Sequence, residues 1–237
     1  MNKIVDFHSH ILPRMDDGSK SVEMSIEMLK MHAKQGISHV VATPHFYPQH
    51  DTPERFLARR AKAEIALREE MGKYPDLPTL SLGAEVYYFP GISDSEGISE
   101  LTIDGKRCIL IEMPNGSWTD SMYRELEGLY VKQGLVPIVA HIDRYIGRFR
   151  TYGIPGRLAQ LPVLVQANAE FFLERKTSSM ALRMLKQEKI HLLGSDCHNL
   201  SSRVPNLGGA LELIESRLGN APLAAIREVQ TQVLLNE

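Results

Sequence analysis

Histidine and carboxylate residues with the chemistry of metal ligands recur along this sequence, and most of them follow short apolar runs. The first are His8 and His10, in the segment DFHSH. Two histidines two residues apart at the end of a strand lie on the same side of the backbone and can chelate one metal ion. Such a pair alone is equally compatible with structural histidines. The later residues of the set are therefore decisive: His45, Glu85, Glu112, His141, Asp196 and His198.

This donor set consists of imidazole nitrogens and carboxylate oxygens, which suit Mn²⁺, Zn²⁺ or Fe²⁺ better than Ca²⁺. With Asp17 included there are nine candidate ligands, too many for one ion. We therefore predict two or three ions that share bridging carboxylates. Polynuclear sites of this kind suit phosphoester hydrolysis, because one ion lowers the pKa of a bound water to generate hydroxide and the cluster neutralises charge on the phosphate.

Two arginines are placed to complete a phosphate-binding site. Arg144 follows His141 by three residues, and Arg203 follows His198 by five. A guanidinium group binds phosphate through two parallel hydrogen bonds. We therefore predict that Arg144 and Arg203 bind the phosphate of the substrate, whereas Arg148 and Arg150 are predicted to lie on the surface.

Alternating strand and helix patterns indicate how these residues are positioned. Short runs rich in Val, Ile and Leu predict strands over 4–7, 38–43, 80–82, 107–111, 135–140, 162–165 and 191–193. Helical patterns lie between them, which predicts a parallel sheet with both faces covered. Six of the seven strands end in His, Asp or Glu, and the carboxyl ends of barrel strands converge on one face. We predict a closed or nearly closed α/β barrel; a doubly wound open sheet is the alternative.

The overall composition is that of a single globular domain over residues 1–237. A formal net charge of −2 gives no basic face for nucleic acid. Two cysteines are too few for a disulfide framework, which fits a reducing compartment. The absence of a signal peptide and of a long apolar stretch predicts a cytoplasmic protein without direct membrane insertion.

Six motifs, in this order, identify a family resemblance: DFHSHILPRMDDGSKS, ATPH, GAEVY, EMP, AHIDRY and GSDCHN. They resemble the PHP (polymerase and histidinol phosphatase) family, and within it the bacterial protein-tyrosine phosphatase branch encoded with capsule and exopolysaccharide genes. The resemblance covers about residues 4–207, and the segment from HSH to DDG is the part that points to this branch. The continuation PNGSW after Glu112 departs from the recognisable pattern, which leaves the substrate rim undefined.

The resemblance implies a distorted (β/α)7 TIM-like barrel with its active site at the carboxyl-terminal face of the strands. It implies a trinuclear site, usually of manganese with Fe or Zn²⁺ as alternatives, and phosphate binding by Arg144 and Arg203. It also implies hydrolysis of phosphotyrosine by a metal-activated hydroxide. The implied substrate is the tyrosine-rich tail of an autophosphorylated bacterial tyrosine kinase that controls polysaccharide synthesis. Asp17 is chosen over Asp16 because it precedes glycine; the implied ligands are His8, His10, Asp17, His45, Glu85, Glu112, His141, Asp196 and His198.

Four other functions remain as alternatives. A small-molecule phosphomonoesterase, such as a histidinol-phosphate phosphatase, would need the same site and differ only at its rim. An amidohydrolase is disfavoured because Glu112 stands where those enzymes place a bridging lysine. The spacing from Cys197 to Arg203 matches the C-x5-R signature of cysteine phosphatases, but this loop lacks the glycines that close approach to phosphate requires. A non-catalytic module is disfavoured because all nine candidate ligands are present.

Overall fold

A computed structural model describes residues 4–146 and 153–235, so Arg148 and Arg150 lie outside the described residues. Within these ranges all strand pairs are parallel, which is the arrangement that the alternation of strands and helices predicts. The strands are β1 Asp6–Ser9, β2 His39–Ala42, β3 His45–Phe46, β4 Thr79–Leu82, β5 Glu85–Tyr87, β6 Cys108–Glu112, β7 Val136–Val139, β8 Leu164–Asn168 and β9 Leu192–Gly194.

In the described ranges nine strands occupy seven barrel positions, because the predicted second and third strands each continue, after a break, into a further short strand. The second is divided into β2 and β3 at Thr43 and Pro44, and the third into β4 and β5 at Gly83 and Ala84. Proline has no N–H to donate to a ladder. Consequently β1, β2 and β4 form one sheet, while β3, β5, β6, β7, β8 and β9 form a second.

The barrel closes between its first and last strands. A parallel bridge joins Ser9 to Cys197, the Asp196 N–H donates to the His8 carbonyl at 2.7 Å, and the His10 N–H donates to the Cys197 carbonyl at 2.9 Å. With this closure and the two broken strands, the fold confirms the predicted distorted (β/α)7 TIM-like barrel.

Helices cover the outside of the strands, and local sequence explains where several begin. Ser21, Thr52 and Thr119 each accept a hydrogen bond from a backbone N–H of the first turn, as N-cap residues do. The helices are α1 Val22–Lys34, α2 Pro53–Met71, α3 Asp120–Gln133, α4 Ile154–Leu158, α5 Ala169–Leu173, α6 Ser178–Lys186, α7 Leu207–Leu218 and α8 Ala221–Leu235. None of the helices in the described ranges is long and apolar enough to span a membrane.

Two predicted elements differ from the structure around the sixth barrel position. The strand expected over 162–165 is β8, and it continues to Asn168 because the polar residues Gln166 and Asn168 still pair with β9. Residues 170–188, which the sequence predicts to include one helix after a short irregular piece, contain parts of two helices, α5 and α6; the Glu174 N–H still bonds to the Glu170 carbonyl of α5. Because the predicted strand ends at residue 165, the prediction does not include Gln166 and Asn168, whose side chains face the site.

Candidate metal centre

Four of the predicted histidine ligands gather around another predicted ligand, Glu85, a carboxylate that is 1% exposed. Its Oε2 atom lies 3.1 Å from His8 Nε2, 3.2 Å from His10 Nε2 and 3.0 Å from His45 Nδ1. Its Oε1 atom lies 2.7 Å from His141 Nε2. One carboxylate therefore contacts four imidazoles from three barrel positions, which is the environment that a ligand bridging several ions would have.

The other predicted ligands surround this centre. Asp196 Oδ1 lies 3.4 Å from His10 Nε2, and Glu112 Oε2 lies 3.8 Å from His45 Nδ1. Ligand atoms within 4.8 Å of one another form three overlapping groups at this site, namely His8–His10–Glu85, His45–Glu85–Glu112 and His10–Asp17–His45–His198. Because the groups share His10, His45 and Glu85, the arrangement has room for more than one ion but not for independent sites.

Unpartnered polar atoms provide a test of whether this cluster fits metal ions. Although Glu85 Oε2 and Asp196 Oδ1 lie within ion-pair distance of His and Arg nitrogens, five buried side-chain atoms of the predicted ligands make no hydrogen bond with suitable geometry: His45 Nδ1, Glu85 Oε2, His141 Nδ1, Asp196 Oδ1 and His198 Nε2. In the described residues, Asn206 Oδ1 is the single further atom of this kind. Buried polar groups are normally satisfied. Nitrogen and oxygen atoms concentrated in this way therefore fit cations such as Mn²⁺, Fe²⁺ or Zn²⁺.

Hydrogen bonds on the far side of each ring fix which nitrogen faces the cluster. His8 Nδ1 lies 3.3 Å from Gln166 Oε1, and His10 Nδ1 lies 2.7 Å from Asp16 Oδ2. Both Nε2 atoms then point inward and are 3.1 Å apart. Two imidazole ligands each about 2.1 Å from the same ion can have this separation. Such outer contacts are a general feature of histidine ligands, because they fix the tautomer and the ring orientation.

Charge pairing shifts the pKa values within the cluster. Burial lowers the pKa of His10, but hydrogen bonds with Asp16, Asp196 and Glu85 outweigh it and raise the pKa well above its usual value. Burial raises the pKa of Glu85, yet the His8 charge and the surrounding histidines hold it well below its usual value. Protons on His8 and His10 thus balance part of the carboxylate charge, and metal ions would compete with those protons.

Asp16 and Asp17 have different surroundings. Asp17 is 67% exposed, but its Oδ1 lies 3.3 Å from His198 Nε2 and 3.7 Å from His45 Nε2. Asp16 is buried and accepts hydrogen bonds from the His10 ring and from the His45 N–H at 2.9 Å. The geometry thus favours Asp17 as the residue that could contact an ion and Asp16 as the residue that orients His10.

Arg144 and Arg203 approach the same carboxylate from two sides. Arg144 Nη2 lies 2.6 Å from Asp196 Oδ2, and Arg203 Nη2 lies 2.6 Å from Asp196 Oδ1. Arg144 Nη1 also lies 3.2 Å from Glu112 Oε1. Both guanidinium groups line a cavity of about 530 Å³ beside the cluster, together with Asn115, Asn168 and Asn206. They remain about one-third exposed, so they can reach an anion that enters this cavity.

Sequence reasoning missed two residues of the sixth barrel position. Gln166 Oε1 accepts a hydrogen bond from the His141 N–H at 2.6 Å and contacts the His8 ring. Asn168 Nδ2 donates to Asp196 Oδ2 at 3.0 Å. Gln166 and Asn168 lie two residues apart, the same spacing as His8 and His10. This spacing would have indicated two side chains on one face if the predicted strand had extended to residue 168.

The Cys197 loop does not have the features of a cysteine phosphatase. The thiol is completely buried, and its residue packs in the apolar core. The loop amides are occupied, because Asn199 Oδ1 accepts hydrogen bonds from the N–H groups of Ser201, Ser202 and Arg203. A thiolate mechanism needs an accessible sulfur and, around the phosphate, free amides. The arrangement disfavours Cys197 as a nucleophile.

Aromatic side chains lie beside His45, among residues that do not line the arginine cavity. Tyr47 is 37% exposed and stacks on His45, with ring centroids 5.1 Å apart and an interplanar angle of 28°. The Tyr87 ring lies 5.8 Å from Tyr47. Burial and the nearby carboxylates raise the pKa of Tyr47 to about 12. The phenol therefore stays neutral and offers an aromatic surface beside the site.

Sequence comparison identifies known proteins to which this chain is similar. The sequence model of the family described as capsular polysaccharide synthesis, CpsB/CapC, matches residues 4–236. Tyrosine-protein phosphatase CpsB of Streptococcus pneumoniae is 29% identical over 226 residues, which cover 91% of each chain. Tyrosine-protein phosphatase YwqE of Bacillus subtilis is 28% identical over 226 residues, which cover 92% of this chain and 86% of that protein.

A solved structure shares the fold over nearly the whole chain. It comes from work on YwqE of Bacillus subtilis and CpsB of Streptococcus pneumoniae, described as unique metal-dependent tyrosine phosphatases. The TM-score is 0.85 at 24% identity, with 99% of this chain and 96% of the other covered. The resemblance inferred from the motifs is confirmed: this chain belongs to the CpsB/CapC family of capsular polysaccharide synthesis proteins.

Proposed function

We propose that this chain is a metal-dependent protein-tyrosine phosphatase that acts in capsular polysaccharide synthesis. The observation that carries the proposal is the convergence of nine His, Asp and Glu side chains, Glu85 among them, in one connected cluster with two arginines beside it. Bound ions would supply Lewis acidity, which activates water and neutralises charge on the phosphoryl group. The names of the relatives at 28% and 29% identity support phosphotyrosine as the substrate.

Each predicted site residue has a role in this proposal. The metal ligands are His8, His10, Asp17, His45, Glu85, Glu112, His141, Asp196 and His198. Arg144 and Arg203 bind the phosphate of the substrate. Both guanidinium groups pair with Asp196. Because they remain about one-third exposed, they could also donate to phosphate oxygens and keep the phosphoryl group in place as its negative charge is redistributed.

The surroundings of the arginines suggest how the rest of the substrate is held. The cavity of about 530 Å³ lies in the range of pockets that bind small organic groups. It has room for a phosphorylated aromatic side chain whose phosphate reaches Arg144 and Arg203. Tyr47, which stacks on His45 and is 37% exposed, provides an alternative stacking surface for a tyrosine ring.

We further propose two or three Mn²⁺ ions as the cofactor, with Fe or Zn²⁺ as the alternatives. The all-nitrogen and oxygen donor set supports this group of metals. The physiological substrate is proposed to be the phosphorylated C-terminal tail of a bacterial tyrosine kinase. We propose that residues 1–237 act as one domain and that the protein is cytoplasmic. The two buried free thiols, Cys108 and Cys197, are consistent with a reducing compartment.

Metal analysis and phosphatase assays together test this proposal. Purified protein is loaded with Mn²⁺, its metal content is determined by elemental analysis, and hydrolysis of a phosphotyrosine peptide and of histidinol phosphate is measured with and without chelator. We expect at least two ions per chain, chelator-sensitive activity and preference for the peptide. His45→Ala should abolish turnover, whereas His39→Ala is the control because His39 contacts Ser81 outside the cluster. Preference for histidinol phosphate would replace the proposal with a small-molecule phosphatase.

A further inference from the structure

A buried polar pair lies next to the metal centre without belonging to it. Asp6 is the first residue of β1 and His32 lies in the last turns of α1; both are completely buried. His32 Nε2 lies 2.8 Å from Asp6 Oδ2. Burying such a pair is unfavourable unless it is fully hydrogen-bonded, so its other partners indicate what it does.

The second oxygen of Asp6 links the two strands that close the barrel. Asp6 Oδ1 accepts hydrogen bonds from the His8 N–H at 3.1 Å and from the Ser195 N–H at 2.9 Å. His8 is a proposed ligand, and Ser195 immediately precedes the proposed ligand Asp196. One carboxylate thus connects the backbone positions that carry two ligands from opposite ends of the sequence.

The backbone at Asp196 needs this support. Asp196 has φ of 52°, in the left-handed region that non-glycine residues rarely adopt. The strands are also in close contact here, because a Cβ atom added at Gly194 would lie 2.5 Å from His8 Cβ. A strained conformation persists only where surrounding contacts hold it. The hydrogen bonds from Ser195 to Asp6 and from the Asp196 N–H to the His8 carbonyl, at 2.7 Å, are such contacts.

His32 in turn fixes the orientation of Asp6. His32 Nδ1 lies 2.9 Å from the Met28 carbonyl, which can only accept, so this nitrogen donates. Burial lowers the pKa of His32, but hydrogen bonds with Asp6 and Cys197 outweigh it and raise the pKa to about 10. The imidazolium therefore donates from both nitrogens. Its two hydrogen bonds hold the Asp6 carboxylate in one orientation relative to α1.

We propose that Asp6 and His32 are positioning residues for the metal centre, which hold the His8 and Asp196 backbone segments at the separation that shared coordination requires. The inference rests on the proposed metal-dependent function, but it concerns metal affinity and not the substrate. It assigns to α1 a role in the site through contacts that involve none of the nine proposed ligand side chains. Removing the pair should weaken metal binding more than it changes the folded structure.

The test measures Mn²⁺ affinity of the full-length protein by calorimetry, together with thermal unfolding of the metal-free form. The variants are Asp6→Ala, Asp6→Asn and His32→Leu. We expect Asp6→Ala and His32→Leu to lower affinity by about tenfold or more. Asp6→Asn should stay within about threefold of wild type, because its amide oxygen still accepts from both backbone N–H groups and its NH₂ group can donate to a neutral His32.

His39→Leu is the matched control, since it removes an imidazole that donates to or accepts from Ser81 Oγ at 2.7 Å, away from the cluster. A folded His32→Leu protein with wild-type affinity overturns the inference, as does a loss in His39→Leu as large as that in His32→Leu. If His32→Leu does not fold, His32→Gln is measured, and unchanged affinity in that folded protein overturns the inference equally.

Two further outcomes are informative. The side chains of Asp6, His32 and Cys197 have potential ligand atoms within 4.8 Å of one another. If His32→Leu and Cys197→Ser each remove one ion per chain without weakening the others, the cluster is itself a metal site and the positioning role is wrong. Wild-type protein that binds Mn²⁺ but hydrolyses no phosphotyrosine would contradict the proposed function alone, because the affinity comparison remains valid.

Discussion

Replacing Arg203 by methionine should lower catalytic efficiency without weakening metal binding. The Arg203 guanidinium contacts Asp196 Oδ1 at 2.6 Å and is 36% exposed at the cavity. Losing a charge-assisted hydrogen bond to phosphate costs about 1.5–3 kcal/mol, which corresponds to a roughly 10- to 150-fold lower kcat/KM. The positive charge also competes with metal ions for Asp196. A half-exposed ion pair contributes about 0–1 kcal/mol, so metal affinity should stay the same or rise up to about fivefold.

The measurements are kcat/KM on a phosphotyrosine peptide, inhibition by inorganic phosphate, and Mn²⁺ affinity by calorimetry. Arg124→Met is the control, because Arg124 is exposed on α3. Asp196 keeps its contact with Arg144 in the Arg203→Met variant, so the cluster itself should remain assembled. Weaker metal binding in parallel with lower activity, or unchanged kcat/KM, would refute a role for Arg203 in phosphate binding.

Three further predictions concern the cluster and its neighbour. Glu85→Gln should remove at least one ion per chain and lower turnover roughly 100-fold or more, since one oxygen of Glu85 lies within 3.2 Å of three imidazoles; full metal content by elemental analysis would contradict this. Cys197→Ser should retain chelator-sensitive activity, because the thiol is buried; inactivity of the folded, metal-loaded variant would restore the cysteine mechanism. Burial lowers the pKa values of His8 and His10, but their acidic partners raise them above 6.5. Metal ions must displace these protons, so Mn²⁺ affinity should increase as pH rises above 6.5. Calorimetry in buffers of different ionisation enthalpy should show that protons are released when Mn²⁺ binds. A Mn²⁺ affinity independent of pH would disprove this competition between metal ions and protons.

The barrel and the ligand positions could be predicted because they depend on local patterns. Short apolar runs ending in a single His, Asp or Glu define both a strand and the residue at its carboxyl end, as at Glu112 and His141. Parallel topology then brings distant strand ends to one face without further information. The assignment of metal and phosphate-binding roles to these residues stays a prediction that the experiments above address.

Contacts among side chains from different barrel positions could not be predicted in this way. Gln166 and Asn168 were missed because polar residues obscured the end of β8, although both contact proposed ligands. The pairing of His32 with Asp6 depends on how α1 packs against β1, and helix periodicity carries no information about that partner. The φ of 52° at Asp196 was equally unpredictable, because this residue lies where the segment after β9 bonds to β1, and that contact joins residues distant in sequence.

Closure of the barrel by β1 and β9 has a consequence for how the protein matures. His10 follows the first strand and His198 follows the last, so ligand atoms from both come together only after the last strand has been synthesised and has docked. Contacts of such sequence separation form late and slowly in folding. An ion bound across this seam favours the closed state by mass action. Bound metal ions would then stabilise the closed barrel. A chain that lacks the last strand could not form the complete metal centre.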